Sequence, residues 1–550
     1  MDNRVLMWLA VAMIWLLVYQ AWQRDYAPRP APAAVETVET PQIPVTDAPP
    51  QLTDNRADAP PPAPTVAGIT DTAPDHSRLL TVKTDVYDLA IDLNGGNLVD
   101  VVLLDYPIAK EVPDVKVELL NVEAQNTTAL QTGLLAAQGL PSPTHDAQYS
   151  ATRNEYELGA GDDQLQVTLR WSQGDIEVDK IYTFYRGRYN ILLEYNVRNL
   201  SGAAWSGAQY AQLKGVGGPV KRSMTDVDSY SFRGAVVYDG ESYEKYDTKD
   251  LTKNPIDTQA TGGWIANIQH HFLAAAVPPA EELISYKSRT PDERTMLISG
   301  VGPLYSVANG AEHVFAQQFF VGPKLQNQME ETAPGLRLSV DYGMLTIIAQ
   351  PMFWLLDTIH SYTGNWGWAI ILLTILIKLL FYPLAQKAGR SSAKMRAVAP
   401  RLKSIQERYK DDKQAQSKAM MELYKKEKIN PASGCLPLLI QMPVFLALYW
   451  VLIESVELRQ APFMWWIQDL SSRDPYFVLP VIMAGAMYVQ TKLNPAPPDP
   501  TMAKVMTFMP IVMSIFFMFF PAGLVLYWVV NTVLSVAQQW RINKVVGVTQ

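Results

Sequence analysis

The chain has 550 residues, 48% of them hydrophobic, and a formal net charge of −8. Its only cysteine is Cys435, which excludes an intrachain disulfide. No cysteine follows the first apolar run, which excludes a lipoprotein anchor there. The apolar residues are concentrated in blocks, so the average composition conceals a strongly segregated sequence.

Six of these blocks are apolar enough to be membrane spans. A bilayer core of about 30 Å needs about 20 helical residues. The fourth and fifth blocks are short and need tilt, local thinning of the bilayer or their flanking residues to span it. The sequence therefore predicts six transmembrane helices, at residues 5–22, 366–384, 434–453, 476–491, 505–520 and 523–540.

The first block is expected to be an uncleaved signal anchor within residues 1–24. Its apolar part is long for the core of a signal peptide, and Trp22-Gln23-Arg24-Asp25 follows where small cleavage-site residues would be expected. A cleaved signal peptide is the alternative. Residues 25–75 are rich in proline and cannot bury a core, which predicts an extended linker.

Residues 76–340 show the alternation of β-strands. One strand face carries Tyr87, Leu89, Ile91 and Leu93, and the turn Asn94-Gly95-Gly96-Asn97 follows. The stretch RYNILLEYNVRNL repeats the alternation. Period-2 runs between Gly/Asn turns predict antiparallel strands packed as one all-β sandwich domain.

Two further segments lie outside the spans. Residues 341–362 are apolar on one side, are broken by Pro351 and carry Asp357, which predicts an amphipathic helix lying in the membrane interface. Residues 385–429 are strongly basic. Their apolar residues at 3–4 spacing predict a hairpin of two amphipathic helices, with Pro400 interrupting the first.

The distribution of positive charge predicts the orientation. Lys and Arg in short loops stay in the cytoplasm, so the basic hairpin is expected there. The more acidic loop 454–474 then lies outside, and both termini are cytoplasmic. The β-domain is then expected on the outer side of the membrane. In a Gram-negative cell this compartment is the periplasm. The expected location is the bacterial inner membrane.

Signatures of enzymes and transporters are mostly missing. The sequence has no G-x-x-x-x-G-K-[ST] and no H-E-x-x-H motif. The predicted spans contain no Asp or Glu, whereas ion-coupled transporters usually build their sites from intramembrane carboxylates. No catalytic residue, cofactor or metal ion is predicted, and no sequence-specific nucleic-acid binding is expected.

Lys378 is the only formally charged residue in the predicted spans. Burying a lysine at mid-membrane costs about 2.5–3.5 kcal/mol on insertion scales. One interpretation is that its long stem snorkels to the cytoplasmic interface near Pro383. The other is a wet pocket that opens to the cytoplasm, with the polar companions Thr374, Gln441, Asn531 and Ser535.

A methionine stripe lies on the fifth span, at Met502, Met506, Met509 and Met513. Such a stripe is more often packing or a lipid face than a binding site. Methionine is also flexible and polarisable, which suits a surface that accepts many apolar partners. A polar pocket beside such a surface would serve transmembrane segments that carry polar tails.

Four stretches resemble the YidC family of membrane protein insertases: GNWGWAIILLTILIKLLFYPL, KINPASGCLPLLIQMPVFLALYWVL, SVELRQAPFMWWIQDLS and FMPIVMSIFFMFFPAGLVLYWVVN. The anchor, linker and large β-domain resemble its Gram-negative form. The resemblance implies a core of five transmembrane helices at residues 363–542, around a hydrophilic groove that is open to the cytoplasm and to lipid. It also implies that the periplasmic domain is a supersandwich similar to sugar-binding ones.

The resemblance further implies residue roles and partners. Lys378 would receive the polar tail of an incoming protein in the groove, and insertion would need no nucleotide hydrolysis. The third and fifth spans would form an apolar slide, to which we assign Met442, Phe445, Met506, Met509, Met513, Tyr527 and Trp528. The implied partners are nascent membrane proteins, the Sec translocon, the lipid bilayer, and the ribosome and signal-recognition machinery at the hairpin.

Two features depart from the family pattern. Many relatives carry Arg where this chain has Lys378, and Lys lacks the planar bidentate fork of Arg. Only a short tail, residues 543–550, follows the core, so the ribosome contact made by relatives with long basic tails is not expected. Three other interpretations stay open: an enzyme with Lys378 as a base beside Ser535, a channel or transporter, and a β-domain that binds a sugar or peptidoglycan.

Overall fold

A computed structural model describes residues 78–121, 128–216, 231–292, 294–410, 412–427, 436–493 and 500–546. These residues divide into two compact units, one of residues 78–340 and one of residues 341–546. The predicted signal anchor and proline-rich linker lie outside the described residues. Each unit is treated separately below.

The first unit is a sandwich of two large, mostly antiparallel β-sheets, which confirms the predicted all-β domain. One sheet has eleven strands in the order β14-β17-β18-β11-β5-β3-β2-β1-β7, with β19 on β11 and β4 on β3; the other has nine in the order β13-β12-β15-β16-β20-β10-β9-β8-β6. In chain order the strands are β1 Leu79–Lys83, β2 Tyr87–Asp92, β3 Asn97–Pro107, β4 Lys116–Leu120, β5 Ala129–Ala136, β6 Ser150–Ala151, β7 Glu155–Glu157, β8 Gln164–Gln173, β9 Ile176–Tyr185, β10 Asn190–Asn199, β11 Trp205–Val216, β12 Gly234–Tyr238, β13 Tyr243–Tyr246, β14 Asp257–Thr261, β15 Trp264–Ile268, β16 Phe272–Val277, β17 Leu283–Arg289, β18 Thr295–Val301, β19 Tyr305–Val307 and β20 Glu312–Pro323. Two short helices, α1 Thr248–Lys253 and α2 Gln326–Thr332, complete this unit.

The core of the sandwich follows the alternation in the sequence. On β10 the side chains of Ile191, Leu193, Tyr195 and Val197 are fully buried, and the residues between them are at least partly exposed. Burial of each large apolar side chain contributes about 1.5–3 kcal/mol to folding. Strand pairing is also strongly non-local, since β1 pairs in parallel with β7.

The turn between β2 and β3 is buried inside the sandwich. Gly95 and Gly96 have φ of +83° and +59°, a region that favours glycine. A Cβ on Gly95 would lie 1.8 Å from the backbone oxygen of His145, so the turn has no room for a side chain. Lys180 and Tyr182 hold it from the opposite sheet, donating to the oxygens of Gly95 and Gly96 over 2.8 and 2.7 Å.

Lys180 is a fully buried lysine in the middle of β9. Its ammonium lies 5.4–5.5 Å from the ring centres of Tyr149, Tyr182 and Tyr195. Burial lowers the pKa of Lys180 well below its usual value, because desolvation disfavours the charged form. The free energy of unfolding of this unit therefore depends on pH through Lys180.

The second unit is helical, and its helices are α3 Thr346–Thr363, α4 Trp366–Leu380, α5 Tyr382–Ala397, α6 Ala399–Arg408, α7 Lys413–Lys426, α8 Leu436–Glu454, α9 Val478–Leu493, α10 Pro500–Phe517 and α11 Ala522–Val546. The block predicted at 366–384 is not one straight helix: α4 ends at Leu380, and the chain bends by 65° into α5. Pro383 lies in the first turn of α5, where the missing N–H costs nothing.

A membrane span requires both sufficient length and apolar character. Among the described residues, no single helix meets both conditions alone. The bent pair Trp366–Leu380 and Tyr382–Met395 meets them together. Shorter apolar helical segments lie within α8, α9 and α10, at Gln441–Glu454, Val478–Leu493 and Val505–Phe517.

The basic segment forms three helices, α5, α6 and α7, and the break between the first two lies close to the interruption predicted at Pro400. α5 packs on α11 so closely that a Cβ on Gly389 would lie 2.6 Å from Cδ1 of Ile542. The helix breaks at Val398, and α6 begins with Pro400 in its first turn, because proline is tolerated there but not in a helix interior. α6 and α7 then pair through Val398 and Leu402, against Met395, Met420, Leu423 and Tyr424.

Candidate functional site

The candidate site begins on α4, whose apolar sequence buries one face. Asn365 caps the helix by accepting a hydrogen bond from the N–H of Trp368 over 3.1 Å. Ala369, Ile370 and Leu373 are buried on the inner face. Lys378 lies in the last turn, half-buried, at the edge of that face.

Lys378 is hydrogen-bonded to α11. Its Nζ donates to Oγ of Ser535 over 2.7 Å, and Ser535 Oγ donates to the backbone oxygen of Asn531, one turn earlier, over 2.7 Å. The side-chain oxygen of Asn531 accepts a hydrogen bond from Nε2 of Gln441 on α8. Four of the five predicted groove residues therefore form one chain of hydrogen bonds across three helices.

A cleft opens beside this chain of hydrogen bonds, with a free volume of about 40 Å³. Its lining is Ile377, Lys378, Phe381, Leu384, Ala385, Gln441 and Val444. A water molecule needs about 10–15 Å³ of such volume and two to four polar partners. The cleft therefore has room for water beside the ammonium and the Gln441 amide.

Thr374 does not join this network. It is almost fully buried, and its Oγ1 donates to the backbone oxygen of Ile370 in its own helix over 2.7 Å. This back-bonding satisfies the hydroxyl locally. The sequence reasoning placed Thr374 one turn from Lys378 correctly, but the spacing did not reveal which way its hydroxyl bonds.

The residues assigned to the apolar slide have different environments. Met442, Met506 and Met509 are exposed, and Met513 is half-buried. Phe445 and Trp528 are half-buried and meet edge to face with ring centres 4.9 Å apart. Tyr527 is fully buried and lies behind the surface rather than on it.

Sequence reasoning missed part of this surface. On α10, Phe508, Ile511, Val512 and Ile515 are all exposed beside the methionines. It also missed Phe381 and Leu384 in the cleft lining, because they were counted as part of a straight helix. Pro383 was the available signal, since a proline marks where a helix bends or restarts.

The geometry also bears on the Lys–Ser enzyme interpretation. Lys378 Nζ and Ser535 Oγ are in contact, but the serine hydroxyl donates its proton to the oxygen of Asn531. The lysine is thus a donor to the serine, whereas a general base must accept the hydroxyl proton. Among the described residues, no group of three or more His, Cys, Asp or Glu side chains is arranged to hold a metal ion.

Two family models match this chain in succession. The model described as YidC periplasmic domain matches residues 79–355, and the model described as 60Kd inner membrane protein matches residues 358–548. The two matches together span most of the chain. They define a protein of the inner membrane with a periplasmic β-sandwich and a helical C-terminal region.

The curated relatives are similar along almost the whole chain. "Membrane protein insertase YidC" of Thioalkalivibrio sulfidiphilus is 47% identical over 561 residues, covering 99% of this chain and 98% of that protein. The protein of the same name from Ectopseudomonas mendocina is 42% identical, covering 98% of both. A crystal structure of an active YidC insertase with its first transmembrane domain resolved is 20% identical, with a TM-score of 0.39, and covers 84% of this chain and 92% of that one.

The chain belongs to the YidC family of membrane protein insertases. The activity of this family is the insertion of membrane proteins, which is not an enzymatic reaction.

Proposed function

We propose that the second unit inserts transmembrane segments through a hydrophilic groove centred on Lys378. The observation that carries this proposal is the hydrogen-bonded chain Lys378–Ser535–Asn531–Gln441, which borders a cleft whose other lining residues are apolar. The polar side would receive the tail of a nascent membrane protein, and exposed apolar side chains of α8 and α10, among them Met442, Met506 and Met509, would receive its apolar segment.

Electrostatics and burial supply the driving force without nucleotide hydrolysis. A tail carboxylate about 5 Å from the Lys378 ammonium gains about 3 kcal/mol at an effective dielectric constant of about 20. Release of the apolar segment into lipid gains about 25 cal/mol for each Å² removed from water. The groove therefore lowers the barrier for the tail, and burial of the segment makes the step favourable.

The proposed topology has six membrane spans with both termini in the cytoplasm. The support is the sequence pattern together with the short apolar helices of the second unit. The domain limits we propose are the anchor at 1–24, the linker at 25–75, the periplasmic domain at 76–340, the interfacial helix at 341–362 and the insertase core at 363–542. The exposed basic residues of α6 and α7 suit contact with the ribosome and signal-recognition machinery, and cooperation with the Sec translocon is part of the same proposal.

The test is insertion into liposomes that contain only this purified protein. A ribosome-synthesised single-span substrate with a short acidic tail is added, and protection of the tail from protease is scored. We expect protection with the wild type and with Lys378→Arg, because Arg keeps the charge and can still donate to Ser535. Lys378→Glu reverses the sign of the interaction with the tail, a change of about 6 kcal/mol at the same distance, and is expected to abolish protection.

The matched control is Lys492→Glu. Lys492 is an exposed lysine in the last turn of α9, so this variant makes the same change in charge away from the cleft. Its insertion activity should equal that of the wild type. Full activity of Lys378→Glu, or equal losses in both Glu variants, would refute a charged groove at Lys378.

A further inference from the structure

The connection between α8 and α9, the 455–477 loop, is a folded element. Val456, Leu458, Ile467 and Leu470 in it are buried. Backbone hydrogen bonds close it on itself, from Phe463 N to Ile467 O over 2.9 Å and from Leu470 N to Ala461 O over 3.0 Å. A loop with its own buried side chains and internal hydrogen bonds holds a defined shape.

Two carboxylates organise the loop. Asp469 accepts hydrogen bonds from the backbone of Gln460 and Ser471 and from the hydroxyl of Ser472, over 2.7–3.1 Å. Asp474 is buried and accepts from Nε1 of Trp466 over 3.0 Å and from the N–H of Leu479 over 2.7 Å. Hydrogen bonds to a charged acceptor are stronger than those to a neutral one, so the two carboxylates fix the loop between Gln460 and Leu479.

The loop is also tied to the ends of neighbouring helices. The first residues of α11 donate to it, from Ala522 N to Ser472 O over 2.7 Å and from Gly523 N to Leu470 O over 2.9 Å. Asn365, the cap of α4, donates from Nδ2 to the oxygen of Phe463 over 2.9 Å. The loop therefore lies where α4, α9 and α11 begin and α8 ends.

The exposed aromatic residue Trp465 of this loop has a strained backbone conformation. Among the described residues, four non-glycine positions have positive φ, and three lie here, at Gln460, Trp465 and Phe477. Such conformations persist only where the surrounding structure enforces them. Trp465 nevertheless exposes 75% of its surface and stacks on Trp466, and Tyr476 exposes 71%.

We propose that Trp465 and Tyr476 anchor the second unit in the interfacial region of the outer leaflet, with phospholipid headgroups and glycerol esters as the partner. Rings with an apolar body and a polar N–H or O–H favour this region. The exposed side chains Val481 and Ile482, in the first turns of α9, continue the apolar surface from the loop towards the hydrocarbon. Arg473, which lies between Trp465 and Tyr476 in the sequence, is exposed, and its guanidinium suits a lipid phosphate.

This inference rests on the proposed topology, which places the loop at the outer face. The fixed loop gives the anchor a set depth relative to α4. Since Lys378 lies near the other end of α4, the anchor would also set the depth of the groove in the bilayer.

The first test is nitroxide labelling of the full chain in phospholipid vesicles, in a Cys435→Ser background. Trp465→Cys is the test site, and Ser172→Cys, on an exposed position of β8, is the aqueous reference. We expect the ratio of oxygen to nickel-chelate collision rates to be severalfold higher at the Trp465 site. Equal ratios would overturn the proposal, as would a label shielded from both reagents, which would indicate protein contact.

The second test keeps the tryptophan. Wild type and Trp465→Phe are compared in vesicles whose lipids are brominated near the headgroup or deep in the acyl chain. Shallow bromines should quench a larger share of the wild-type fluorescence than of the variant's. Insertion activity is scored in the same vesicles, so an aqueous Trp465 in an active protein refutes the anchor and leaves the proposed function intact.

Discussion

Replacing Lys180 by methionine should change the pH dependence of stability of the β-sandwich. Methionine has a similar length and no charge, so Lys180→Met removes the buried amine with little change in volume. Burial lowers the pKa of Lys180 in the folded state, whereas in the unfolded chain the amine titrates near about 10.4. Between these two pKa values, the unfolded state binds a proton that the folded state lacks.

The sign and size of the effect follow from proton linkage. Because unfolding takes up a proton in this window, the free energy of unfolding of the wild type rises with pH, by up to about 1.4 kcal/mol per pH unit from this one group. The contribution levels off above about pH 10.4 and below the lowered pKa of Lys180. The variant lacks this slope. It also leaves the buried oxygen of Gly95 without its donor, which costs about 1–3 kcal/mol at every pH.

The assay is urea unfolding of a fragment of residues 78–340, followed by tryptophan fluorescence at a series of pH values from neutral to about 10. Lys249→Met, at an exposed lysine on α1, is the control for loss of a charge. The wild type and the control should gain stability more steeply with rising pH than Lys180→Met. Parallel curves for all three proteins would show that Lys180 stays protonated in the core and would refute the reasoning.

Two further substitutions test the buried turn and the proposed groove. Gly95→Ala adds backbone strain of about 1–2 kcal/mol and a clash with a backbone oxygen 1.8 Å away. Its loss of stability should therefore clearly exceed that of Gly139→Ala, where φ is +84° and no atom lies within 4 Å. Urea unfolding measures both losses, and equal losses would contradict the steric argument. Ser535→Ala removes the acceptor of the Lys378 ammonium, which costs about 1.5–3 kcal/mol, whereas Ser535→Thr keeps the hydroxyl. Ser535→Ala should insert the acidic-tailed substrate more slowly than Ser535→Thr in liposomes, and equal rates would show that the hydrogen bond is dispensable.

Much of the β-sandwich was predictable from local pattern, because side-chain direction alternates along a strand. The same alternation carried a signal that was not used. On β9 the inward positions are Ile176, Val178, Lys180, Tyr182 and Phe184, which places a lysine in the core. The order of the strands was not predictable, since pairs such as β1 with β7 join residues far apart in sequence.

The polar residues of the proposed groove could be picked out from the sequence because polar groups are conspicuous in apolar helices. The sequence singled out Lys378, Gln441, Asn531 and Ser535 as companions. The hydrogen bonds among them could not be predicted, because they depend on how α4, α8 and α11 pack. Thr374 shows the limit, because a hydroxyl in a helix can bond to its own backbone as easily as to a neighbour.

The close contact of α5 with α11 has a mechanical consequence for the basic hairpin. Gly389 brings the α5 backbone against Ile542, so α5 cannot rotate without displacing α11, the helix that carries Ser535. The joint at Val398 is constrained as well, because Met395 of α5 packs with Val398 and Leu402 against α7. A force applied to α6 and α7 should therefore pass through α5 to α11, so that a partner that pulls on the hairpin also loads the helix that carries Ser535.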